Sequence, residues 1–136
     1  MNPPDRRLRP AERLKSRKAI DALFGRGEHG EAHSAKAYPL RLVYRELPAD
    51  GDVPLVRLGF VAPKRALRRA HERNYVKRRM REAFRLHKVD LHAYLAARGS
   101  RMEAMLLFTG RDLPTQAHVT SAWRKLVRRL TASPSR

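Results

Sequence analysis

Residues 63–88 read PKRALRRAHERNYVKRRMREAFRLHK, and the rest of the chain can be placed by working outward from them. Lys64, Arg65, Arg68, Arg69, Arg73, Lys77, Arg78, Arg79, Arg81, Arg85 and Lys88 stand against only Glu72 and Glu82. Half of the formal net charge of +18 therefore sits in one short segment. From Arg73 onward the spacing predicts a helix. Val76, Met80, Ala83, Phe84 and His87 recur on one face of a 3.6-residue period. Asn74, Lys77, Arg78, Arg81, Arg85 and Lys88 fall on the opposite face. An ordinary solvated helix mixes signs and gains from i,i+4 pairs. This one stacks like charges, at a cost of a few tenths of a kcal/mol per pair. A polyanion is the partner that offsets such a cost.

Composition points the same way. A chain of 136 residues is one domain. With 42% hydrophobic and 32% charged residues it is expected to fold as a basic globule. A pI near 11.6 suits phosphate backbones, which bind Lys and Arg with release of counterions. There is no cysteine, so disulfides, thiolate zinc sites and thiol nucleophiles are excluded. No apolar run reaches the roughly 18 residues of a membrane span, and no membrane partner is expected. Residues 1–13 lack the apolar stretch of a signal peptide, which makes the cytoplasm the expected compartment.

Along the chain, residues 1–12 read as a flexible basic arm, 13–130 as the domain and 131–136 as a tail. Arg13 to Gly27 suggests a short helix, with Ser16 as N-cap and Ile20, Leu23 and Phe24 as its stripe. Residues 28–36 are polar and read as loop. Residues 37–47 alternate, with Tyr38, Leu40, Leu42 and Tyr44 on one side and Arg41, Val43 and Arg45 on the other. After a turn at 48–54, residues 55–62 alternate again, Val56, Leu58 and Phe60 against Arg57, Gly59 and Val61. The turn-rich linker suggests an antiparallel pair of these two strands. Gly59 reads as a gap open to an approaching backbone or base. Residues 89–99 suggest a short helix, 103–109 a central strand, and 115–130 a last helix with Trp123 in its buried stripe. The order α-β-β-α-(α)-β-α is an α/β (α+β) two-layer plate, a small sheet with helices packed on it.

The run Arg73-Asn74-Tyr75-Val76-Lys77-Arg78 resembles the signature of the bacterial ribonuclease P protein subunit. It is preceded by Arg68-Arg69-Ala70-His71-Glu72 and followed by Arg81 to Phe84, which match as well. Tyr75 departs from the pattern, in which an Arg usually stands. The resemblance implies the fold of the second domain of a small-subunit ribosomal protein, with an unusual left-handed crossover through the signature helix. It implies an accessory subunit of an endoribonuclease that removes the 5′ leader of precursor tRNA. In that family the RNA subunit performs the hydrolysis with magnesium, and the protein alone is not expected to be active or to bind a cofactor. One protein per RNA is expected. By this resemblance Lys64, Arg65, Arg68, Arg69, Arg73, Asn74, Lys77, Arg78 and Arg81 contact the catalytic RNA. Arg13, Lys15, Phe24, Tyr44 and Phe60 line a leader cleft, provided the rings face the open side of the sheet.

The residues themselves offer no catalytic centre. His29, His33, His71, His87, His92 and His118 make no convincing metal pair, and the carboxylates are scattered. A ribosomal-type RNA-binding protein is the alternative that composition alone leaves open. A DNA-binding helix is the weaker one, because no helix-turn-helix spacing precedes Arg73.

Overall fold

The apolar run near the end of the chain takes the centre of the sheet. In the computed structural model, which describes residues 12–14, 17, 20, 23 and 32–132, strand β4 (Ser100–Phe108) lies between two partners. It pairs antiparallel with β2 (Leu40–Pro48) and parallel with β3 (Val56–Val61). Strand β1 (His33–Ala37) adds to the outer edge of β2, giving the order β1-β2-β4-β3. Helices α1 (Ala70–Leu86) and α2 (Val89–Ala97) carry the chain from β3 to β4, and α3 (Gln116–Ala132) follows β4.

Three expectations are corrected. β2 and β3 do not pair with each other; β4 inserts between them. A strand paired on both edges and covered on both faces must bury nearly every residue, and β4 does so from Met102 to Leu106 and again at Phe108. Residues 33–37, read as loop, are a strand. As an edge strand β1 needs only Ala37 in the core, so its polar residues break the alternation that marks half-buried strands. Helix α1 begins at Ala70, three residues before the spacing predicts.

Register divides the sheet into two faces. Leu40, Leu42, Tyr44, Val56, Leu58, Phe60, Ala104 and Leu106 face the helices. There they meet Val76, Met80 and Phe84 of α1, Leu91 and Leu95 of α2, and Trp123 and Leu126 of α3. Phe84 touches Trp123 edge-on at 5.7 Å, and the indole nitrogen donates to the His87 carbonyl. The opposite face carries a smaller cluster, in which Leu14 and Leu23 cover Val43 and Met105. Arg17, Ile20 and Leu23 are helical, and Arg13 bridges to Leu58 along the free edge of β3. Gly99, at φ 63°, closes α2 with its amide on the Ala96 carbonyl, a backbone setting that side chains disfavour.

Candidate nucleic-acid interface

The loop before α1 is built to present charge. Its turn closes through the amides of Ala66 and Leu67 on the Pro63 carbonyl, and Leu67 is buried as an anchor. Lys64, Arg65, Arg68 and Arg69 are left exposed around it. The guanidinium of Arg73 reaches back from α1 and donates to the carbonyls of Leu67 and Arg68, at 2.8 and 2.7 Å. Arg73 therefore holds the loop as well as adding charge. The cap residue Arg69 is extended and brings no side-chain hydrogen bond to the first turn of α1. Amide donors at a helix start without a side-chain cap suit a phosphate. Beside the loop lies an open groove of about 780 Å³, with Arg41, Lys64, Arg65 and Arg111 among its walls and Leu107 in its lining.

Along α1, Asn74 and Arg78 are exposed, and Lys77 and Arg81 half-buried. Burial, and then the positive charges of Arg13 and Arg78, lower the pKa of Arg81 from its ordinary value. Arg81 also lies 5.7 Å over the ring of Phe60. Two cations expected on this face do not act as free charge. Arg85 is paired with Glu82. Lys88 lies just beyond the helix and is buried, its ammonium 2.9 and 3.0 Å from the two carboxylate oxygens of Glu12. A count of charges along a wheel carries no information about what a residue 76 positions away will bring to it.

The expected leader cleft is only partly assembled. Lys15 and Phe24 lie outside the described residues. Tyr44 and Phe60 do share a face, but it is the helix-covered face and not the open side, so the expectation that they line one cleft there is corrected. They are also kept apart by Leu42, Ala104, Leu58 and Leu106, all of them buried. Phe60 packs edge-on against Phe84 at 6.5 Å, at the β3 edge with Arg13 and Arg81. Tyr44 sits toward β1, its ring 5.7 Å from that of His33. Burial first, then Glu46 and Tyr94, raise its pKa against a smaller opposing effect of Arg98. The gap at Gly59 is filled: a Cβ there would stand 2.4 Å from the Met105 sulfur.

The face away from the three helices holds residues not assigned to any site from the sequence. Arg45, Glu103 and Arg57 form one row across the strands. Arg45 donates to Glu103 through two nitrogens, and Arg101 approaches the same carboxylate at 3.5 Å. Arg41 stays exposed four residues along β2 from Arg45. The signal was present in the alternation of Arg41, Val43 and Arg45 with Arg57, Gly59 and Val61. It gave which side chains share a side within each strand but not which set the helices cover.

Tyr75, the departure from the signature, ties α1 to the segment before α3. Its hydroxyl donates to the Pro114 carbonyl at 2.9 Å, and the Arg79 guanidinium lies 4.3 Å over its ring. Gln116 adds a bond to the Arg79 carbonyl at 2.9 Å. Tyr75→Phe is expected to keep the stacking and lose the bond, lowering stability by about 0.5–1.5 kcal/mol. Urea unfolding measures this, and an unchanged midpoint would remove Tyr75 as a tie.

Among the described residues no group of three or more His, Asp or Glu is arranged to hold a metal, and no helix is long and apolar enough to cross a membrane. What the arrangement offers is a fixed cationic loop, a helix start without a side-chain cap and a charged groove, all suited to phosphate backbone.

Comparison with known proteins agrees with that chemistry. The family described as Ribonuclease P matches residues 8–130. A ribonuclease P protein component from Porphyromonas gingivalis is 33% identical over 132 residues, covering 97% of this chain and 92% of that one. One from Acinetobacter baylyi is 57% identical over a shorter stretch of 35 residues. Among solved structures, the Staphylococcus aureus RNase P protein superposes with a TM-score of 0.63 at 16% identity, over 88% of this chain and 94% of that one. At that identity the likeness speaks for the mixed four-stranded α+β fold alone.

Proposed function

The chain belongs to the ribonuclease P protein family, and from that premise we propose that it binds the catalytic RNA of ribonuclease P and the 5′ leader of precursor tRNA, assisting removal of the leader. The observation that carries this reading is the exposed set Lys64, Arg65, Arg68 and Arg69, braced by Arg73 at the start of α1. With Asn74, Lys77, Arg78 and Arg81 it forms a continuous run of donors along one loop and helix. Phosphate contacts of this kind fix position and carry affinity, with no demand on base sequence.

In this reading the hydrolysis, and the magnesium it uses, belong to the RNA, and one protein joins each RNA in the cytoplasm. The protein neutralises crowded phosphates and so lowers the magnesium the RNA needs. Arg13 and Phe60, beside Arg81 at the β3 edge, contact the leader. A guanidinium next to a half-exposed ring is suited to a phosphate and an unpaired base together, and a stacked base contributes about 1–3 kcal/mol. Tyr44 has no part in that contact.

The test is cleavage of a precursor tRNA by a bacterial ribonuclease P RNA at low magnesium. Cleavage at the mature 5′ end is expected with both components and not with either alone. Absence of rescue by a folded protein that still binds RNA would overturn the reading.

A further inference from the structure

Helix α3 carries a second cationic surface that the proposed interface does not use. Val119, Ala122, Trp123, Leu126, Val127 and Leu130 form its buried stripe. Arg124, Lys125, Arg128 and Arg129 are exposed on the other side, and the helix contains no Asp or Glu. Arg129 is engaged with the Lys36 carbonyl of β1. Arg124, Lys125 and Arg128 have no ion pair among the described residues. Arg124 and Arg128, and Lys125 and Arg129, are like charges at i,i+4, which costs a helix a few tenths of a kcal/mol per pair. The helix dipole favours cations in the last turn, which accounts for Arg129. Arg124 and Lys125 stand too far from the helix end for that effect.

A cavity of about 220 Å³ adjoins these residues, between α3 and the α1–α2 junction. Arg124, Arg128, Thr131 and His87 line it, together with Asp90, the one carboxylate on its wall. A water occupies about 30 Å³ of liquid, so the cavity has room for a phosphate group between two guanidiniums.

This surface is remote from the loop before α1. The bonds from Tyr75 to Pro114, Gln116 to Arg79 and Trp123 to His87 show that α1 and α3 run side by side in the same direction. Arg124 to Arg128 therefore lie beyond the far end of α1. At 1.5 Å per residue, a helix of 17 residues puts about 25 Å between the two patches.

We infer that the outer face of α3, through Arg124, Lys125 and Arg128, is a second RNA-backbone site. It grips a segment of the ribonuclease P RNA separate from the one held at the start of α1. The inference rests on the reading above, and its test separates the two. Binding of a labelled ribonuclease P RNA is measured over a salt series for the full chain, for R124Q/K125Q/R128Q and for K64Q/R65Q/R68Q/R69Q, with hydroxyl-radical footprints of each complex. The α3 variant is expected to flatten the slope of log K against log salt by about two to three units. It should lose protection at nucleotides other than those lost with the loop variant, and R124K/R128K should keep both slope and footprint. If the α3 variant matches the unaltered chain while the loop variant loses slope, this inference falls and the function stands. Identical footprint losses in the two variants would overturn the separate site. If neither variant alters the slope, both readings fall.

Discussion

Replacing Lys64, Arg65, Arg68 and Arg69 together by glutamine is expected to weaken binding of a ribonuclease P RNA by about three orders of magnitude near 0.1 M salt. The size follows from counterion release. Each phosphate neutralised on duplex RNA or DNA contributes close to one unit to the salt slope, and so close to a factor of ten at that salt. Four exposed side chains on one fixed loop are expected to engage three or four phosphates. Stability should hardly move, because all four are exposed and Arg69, though at the cap position of α1, brings no side-chain hydrogen bond to lose; surface changes of this kind stay within about 0.5 kcal/mol. The loop itself keeps its shape through Leu67, the Pro63 turn and the guanidinium of Arg73. A folded variant with unchanged slope and affinity would remove the loop from the interface.

Arg73→Gln is a different experiment, although it removes the same charge. It takes the donor away from the carbonyls of Leu67 and Arg68, so loss of affinity would come with a loosened loop. Proteolysis or hydrogen exchange at residues 64–69 separates the two effects. A contact-only role predicts no change there, and the geometry predicts faster exchange.

Much of this was legible in the sequence, for identifiable reasons. Helix α1 declared itself because its apolar positions repeat at 3.6 and its cations fill the other face. Strand β4 declared itself as central because almost nothing in its second half is polar. The partner of β3 was missed because a turn-rich linker is a local signal, while the pairing of β3 with β4 spans two helices. The facing of Phe60 and Tyr44 was missed although the needed cue was present. Each ring shares its side with leucines, Phe60 with a valine as well, and the helices cover that more apolar set; the arginine-bearing set faces the other way. The role of Tyr75 depended on Pro114, 39 positions on, which periodicity cannot supply.

The pair least visible in the sequence has the largest expected effect on stability. Glu12 and Lys88 are both buried, with side chains 5% exposed, and they fasten the segment leading to Arg13 and Leu14 onto the α1–α2 junction. Lys88→Met deprives a buried carboxylate of its ammonium, which costs about 3–5 kcal/mol. Adding Glu12→Gln should recover a large part of that loss, because the charge left behind is what destabilises. Urea unfolding of the single and double variants measures the coupling. The Leu14 amide, which donates to Leu58 at 3.2 Å, should exchange faster in Lys88→Met than amides of β4. His92 adds a pH signature. Burial, the largest cause, lowers its pKa; Glu12 opposes that and Lys88 adds to it. The unfolded chain therefore takes up this proton first, at about pH 6.5, and stability falls as pH drops below that value. Losing Lys88 removes one of the two causes that lower the pKa. The stability lost between pH 7 and pH 5 should then be smaller in Lys88→Met than in the unaltered chain. Equal losses in the two proteins would mean that Lys88 does not set the charge state of His92, whatever it contributes to holding Glu12.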